Sequence, residues 1–205
     1  MKAQRRNHAA PNIPYAAPMR RAFLLALLLT ACSPRHTATL RAQVRGWQGG
    51  AGQVTALDDQ QRAVSSAALD PAGRFNLPLP SDKELEGRLS TSPAGLKPPA
   101  GCGPSPSSAA PLFVIRTLRA RGEDGRAFTL ISRDDAADQS RRDEHLLIYA
   151  AAPAQLRADV RCGAQTFSYR LNLRAGWNYA LLRQTPNLST FESSGKDGLE
   201  GWTAL

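Results

Sequence analysis

Leu40-Arg41-Ala42-Gln43-Val44-Arg45 alternates apolar and polar residues without a break, and that period of two decides the class of fold. A strand points successive side chains to opposite faces, so such a run buries one face and wets the other. The pattern returns downstream. Leu156, Ala158, Val160 and Cys162 alternate with Arg157, Asp159 and Arg161, and Phe167, Tyr169, Leu171 and Leu173 share one face of the following run. Turn chemistry separates the runs: in Asp70-Pro71-Ala72-Gly73 the proline presets its own φ and the glycine tolerates a positive one. About nine or ten short strands at this spacing predict an all-β fold, either a single antiparallel β-sandwich or a partly open barrel.

Further strands are expected at residues 53–57, 62–69, 112–118 and 126–133. Phe75, Leu77 and Leu79 line one face of another, and Pro78 and Pro80 place it at a sheet edge because proline donates nothing to a ladder. Ser81-Asp82-Lys83-Glu84 has the capping-box pattern and predicts one short helix near residues 82–89. The Pro/Gly/Ser-rich segment 91–111 reads as a long loop or as a subdivision of the domain. Residues 134–144 are polar and read as a solvated loop. Residues 145–151 are apolar after His145, as in a central strand. Beyond Gln184 the pattern is weak.

Upstream stands Met19-Arg20-Arg21-Ala22-Phe23-Leu24-Leu25-Ala26-Leu27-Leu28-Leu29-Thr30-Ala31-Cys32, with a charged start, a short apolar core and small residues before the cysteine. That is the layout of a secretory signal peptide. The apolar stretch at 22–29 is far shorter than the roughly 20 residues a membrane-spanning helix needs. Leu29-Thr30-Ala31-Cys32 resembles the lipobox of bacterial lipoproteins, which implies lipidation of Cys32 and a place at the cell envelope, on the exported side of the membrane. The expected organisation is an upstream extension at 1–18, a signal at 19–31, a tether at 32–37 and one β domain at 38–205. Removing Lys2, Arg5, Arg6, Arg20 and Arg21 takes five cations from a formal charge of +9 and leaves +4, too weak a balance to argue for nucleic acid. Once Cys32 is assigned to lipid, Cys102 and Cys162 remain, and an oxidising compartment would let them pair. Two unpaired thiols, one on a loop and one in a strand, are the alternative.

Residues 40–80 resemble transthyretin-like modules of the carboxypeptidase-regulatory type, through Val44-Arg45-Gly46, Gly52-Gln53-Val54-Thr55-Ala56 and Gly73-Arg74-Phe75-Asn76-Leu77. The likeness implies a β module without catalysis. Residues 171–182, with Gly176-Trp177-Asn178 at their centre, resemble the closing hairpin of uncharacterised bacterial envelope lipoproteins.

Signals for chemistry are few. His36 and His145 are the histidines after the signal, so neither a His-rich metal cluster nor a Ser-His-acid set with a choice of bases is visible, and no cofactor signature is present. Ser193-Ser194-Gly195-Lys196 has the Ser-x-x-Lys spacing without the partner motifs that make it catalytic. Asp134, Asp135, Asp138, Asp143 and Glu144 form an oxygen-rich segment, but its spacing fits no calcium loop and arginines interleave. Gly49-Gly50-Ala51-Gly52 lies between strands, with no helix N-terminus to hold a phosphate. Trp47, Phe167, Tyr169, Trp177 and Tyr179 could form a sugar-stacking platform, although core packing is the commoner fate of alternating aromatics. Trp47, at a glycine-rich turn, is the expected exposed ligand contact. The sequence therefore points to a lipid-anchored envelope protein with a non-catalytic binding or structural role, its partner a cell-wall glycan or an envelope protein. An envelope hydrolase with an unrecognised site, or an accessory subunit of an envelope assembly, is the alternative.

Overall fold

In the computed structural model, which describes residues 38–58, 60–135, 141–194 and 202–204, the alternating run lies in β1 (Thr39–Arg45). Leu40 and Val44 are buried, while Arg41, Gln43 and Arg45 face solvent. There follow β2 (Gly52–Leu57), β3 (Ala63–Leu69), β4 (Arg74–Pro78), α1 (Asp82–Leu85) and a 3-10 turn at Ala94–Leu96. The rest is strand: β5 (Leu112–Ile115), β6 (Thr117–Gly122), β7 (Ala127–Asp135), β8 (Arg142–Ala150), β9 (Ala154–Cys162), β10 (Gln165–Leu173), β11 (Gly176–Gln184), β12 (Leu188–Ser193) and β13 (Trp202–Ala204). The fold is all-β.

Among the described residues thirteen strands stand where the pattern predicts about nine or ten, for reasons that can be located. Residues 112–118 divide at Arg116: β5 pairs β8, and β6 pairs β7. Strands β12 and β13 form in the weakly patterned end, where partners rather than periodicity hold them. The helix is a single turn. Its capping contact is present, the Ser81 N–H donating to the Glu84 carboxylate at 2.7 Å, and Gly87 at φ 76° turns the chain away.

Two curled six-strand sheets result. The first runs β1-β4-β3-β2-β6-β7, and β13 bridges its outer strands, pairing β1 in parallel and β7 antiparallel. The second runs β5-β8-β11-β12-β10-β9, with β10 and β12 parallel. Pairing is thus not antiparallel throughout. Each half has its own core, and β8 serves both: Leu147 and Tyr149 pack with Leu40, Leu77 and Phe113, whereas Leu146, Ile148 and Ala150 pack with Tyr169 and Leu171. Burial on both faces explains why residues 146–150 read as an unbroken apolar run.

The segment 91–111 packs into the second half. Leu96 is buried in that core, and the Tyr169 hydroxyl donates to the Leu96 carbonyl at 2.8 Å. Cys102 reaches Cys162, the last residue of β9, with the sulfurs at disulfide distance and the Cα atoms 4.7 Å apart. Among the described residues strand β9 has one ladder partner, so its other edge would otherwise offer open backbone groups for pairing. Residues 103–107 lie beside that edge.

Candidate functional site

Of the residues that the sequence singles out, Cys32 lies outside those described, and Cys102 and Cys162 are brought together. Trp47 does not stand free as an exposed platform. Its ring is half-buried, meets Phe128 edge-to-face at 5.5 Å, and its indole N–H donates to the Gly50 carbonyl at 2.7 Å. The glycine-rich turn folds back over the ring, which is why a turn position does not expose it. The other aromatics separate as well. Tyr169 stacks on Phe191 in the second core, while Trp177 packs edge-on to Phe113 and Tyr149 and donates to the Pro80 carbonyl at 2.9 Å. They form no common surface.

The acidic segment is a second correction. Asp143 and Glu144 are not in a solvated loop; both belong to β8, as His145 does, and all three are buried. Asp143 accepts from Arg141 at 2.8 Å and faces Arg183 across the β8–β11 ladder. The Arg141 hydrogen bond holds its carboxyl below the usual range against the opposing effect of burial. Glu144, on the other face, takes a two-pronged contact from Arg116 at 3.1 and 3.3 Å. Ser132 stands opposite His145 in the β7–β8 register and Asp143 is two residues from His145, but the buried Ser132 hydroxyl has no hydrogen-bond partner among the described residues. The serine is 0 % exposed and the aspartate is engaged by arginines, an arrangement of packing rather than of an accessible nucleophile. In the Ser-x-x-Lys stretch the Ser193 hydroxyl donates to the Asn172 carbonyl at 2.9 Å, and Lys196 lies outside the described residues.

Asp58 is the third buried carboxylate among the described residues. It caps a tight turn, accepting the Arg62 N–H at 2.8 Å and the Gln60 N–H at 3.0 Å, and it pairs with the Arg62 and Arg88 guanidinium groups at 2.8 and 3.0 Å. Burial would raise its carboxyl, but the contacts from Arg62 and Gln60 outweigh that and hold it below the ordinary value. Gln61, in this turn, has φ 61° and accepts from Arg119 at 3.1 Å. Asp58 and Glu144 line a recess of about 430 Å³, yet both are neutralised by arginine, which suits a clamp better than a proton donor.

An open groove of about 890 Å³ lies elsewhere, on β1, β4 and the end of β3. Strand alternation points Arg41, Gln43 and Arg45 of β1 and Arg74 and Asn76 of β4 outward, and register sets Arg41 beside Asn76 and Gln43 beside Arg74. The turn at 70–73 shapes one end. Asp70 accepts the Arg74 N–H at 2.8 Å, Gly73 takes φ 80°, and the Gln43 amide pins the turn by donating to the Ala72 carbonyl at 2.9 Å. Strands β3 and β4 register at one residue pair, Leu69 and Phe75, so the hairpin opens beyond its turn. Among the described residues no side chain pairs with the guanidinium groups of Arg41, Arg45 or Arg74. Sequence reading notes the alternation of β1, but the cross-strand neighbours that make a groove come only from the β1–β4 register.

Against this geometry, comparison with protein-family models, with curated proteins and with solved structures gives no match.

Proposed function

We propose that this chain is an exported, lipid-anchored envelope protein that binds rather than catalyses, with the arginine groove of β1 and β4 as its binding face. One observation carries the reading: the buried carboxylates are each taken up by arginines, whereas Arg41, Arg45 and Arg74 border open space without described partners. The lipobox-like Leu29-Thr30-Ala31-Cys32 supports the anchor, and two cysteines at disulfide distance agree with an oxidising compartment. The likeness of residues 40–80 to transthyretin-like modules, which carry no catalysis, agrees with a binding role. Two measurements test it. Intact mass and fractionation should find an acylated chain beginning at Cys32 in the membrane fraction, released by Cys32→Ala; an unacylated, soluble wild type would refute the anchor. Isolated envelope material should retain the protein and lose it when Arg41 and Arg74 become glutamate. Retention that ignores both changes would refute the groove.

A further inference from the structure

Five of the six strands of the first sheet together carry charge of one sign, the exception being β7 with Asp134 and Asp135. Strands β1, β2, β3, β4 and β6 together carry Arg41, Arg45, Arg74, Arg119 and Arg121 and no aspartate or glutamate, and all five arginines are exposed. The second half mixes its charges: Arg157, Asp159 and Arg161 follow one another on β9, Asp159 pairs with Arg170 at 2.9 Å, and Arg183 pairs with Glu192 at 3.1 Å. Arginine usage across the whole chain therefore does not account for the first wall. It is the acids that are missing from those five strands.

Three of those arginines border the groove in a staggered line. Arg41 and Arg45 are four residues apart on one face of β1, about 13 Å along the strand. Arg74 stands opposite Gln43, between them, about 7–8 Å diagonally from Arg41. A small anion meets one guanidinium at a time. A chain with an acidic group every few ångströms meets all three, and each planar fork takes an oxyanion through two parallel bonds. The groove also presents the Asn76 amide, and its one carboxylate, Asp70, sits at the turn end with an oxygen committed to the Arg74 N–H. Its one aromatic, Phe75, is buried at 3 % exposure, so neither a neutral sugar nor a nucleobase finds a ring to stack on.

We infer that the groove binds a linear acidic glycan, lying along β1 with its successive acidic groups on Arg41, Arg74 and Arg45. This rests on the binding role proposed for the same groove and adds the class of ligand. The test uses the processed protein, purified in detergent, titrated with polygalacturonate, with neutral dextran and with polyphosphate. Polygalacturonate should bind, dextran should not, and Arg41→Gln, Arg45→Gln and Arg74→Gln should each weaken binding about twofold to fivefold, as exposed ion pairs do. Arg157→Gln, on β9, should leave it unchanged, and raising salt should weaken it. Unaltered thermal melts of these surface variants separate loss of binding from loss of fold. Equal affinity for dextran, tighter binding of polyphosphate than of polygalacturonate, or a triple variant that binds like wild type would overturn the inference. Retention on envelope material together with failure on polygalacturonate would remove the ligand class and leave the binding role standing.

Discussion

Separating Cys102 from Cys162 should loosen the second half of the molecule before it unfolds the whole. The cross-link spans 60 residues, and closing a loop of that size removes unfolded-state entropy equivalent to about 4 kcal/mol. Total stabilities of about 5–15 kcal/mol are usual, so this is a large share. At about 2–4 °C per kcal/mol for a chain of this size, the melting point should fall by about 8–16 °C. Local effects come first. The bridge between Ser90 and Leu112, with N–H···O distances of 2.9 and 2.8 Å, and the buried Leu96 hold the loop segment in place together with the Cys102 link. Urea and thermal unfolding of the oxidised protein, the reduced protein and Cys102→Ala/Cys162→Ala supply the global figure. Hydrogen exchange at Ser90, Leu96 and Leu112 supplies the local one. Both cysteines are half-buried, so alanine leaves little cavity. Oxidised and reduced protein unfolding within about 1 kcal/mol of each other would refute the reasoning, as would unchanged exchange at those three amides.

Other parts of the molecule give sharp expectations. Arg116→Met leaves the buried Glu144 carboxylate without its partner and should cost about 3 kcal/mol in urea unfolding, while Arg116→Met with Glu144→Leu should recover most of it. Burial, with an added contribution from Asp82, pushes the Tyr149 hydroxyl up to about 12, and burial does the same to Tyr169, to about 12, against the Arg116 charge. Unfolded tyrosine titrates near about 10, so the folded state keeps protons that the unfolded state has released. Stability should be complete below that value and decline as pH rises from about 10 through 12, and Tyr149→Phe or Tyr169→Phe should flatten the fall. Gly73→Ala should destabilise by about 2–3 kcal/mol, because φ is 80° and the new Cβ would meet the Trp47 Cβ at 2.7 Å and the Val44 carbonyl oxygen at 2.8 Å. Gly46→Ala, also at positive φ but with nothing within 4 Å, should cost only about 1 kcal/mol, and the difference in melts isolates the contact.

Much of the fold is legible in local patterns. Alternation at 40–45 and 156–173 announces strands and their buried faces, because a period of two is a property of consecutive residues. Turn residues mark where strands stop. Cysteine arithmetic, once Cys32 is set apart, names the pair that lies at disulfide distance. Burial that depends on distant partners is not legible in this way. Asp143 and Glu144 look like loop residues because charges usually seek water; the β8 register and arginines from β5–β6 and β11 let them enter a strand. Trp47 looks exposed because its turn is rich in glycine, whereas the fold sets Phe128 against its ring.

By itself, then, the sequence determined the class of fold, the inward face of most strands and which cysteines were left to pair. Those follow from residues close together in the chain or from simple counting. Tertiary structure alone decided that residues 112–118 divide between two sheets, that β12 and β13 exist, and that Arg41, Arg45 and Arg74 border one groove. Strand partners are chosen by pairing across long stretches of chain. A one-residue change of register would send the same arginines to the opposite face, a choice that no local pattern encodes.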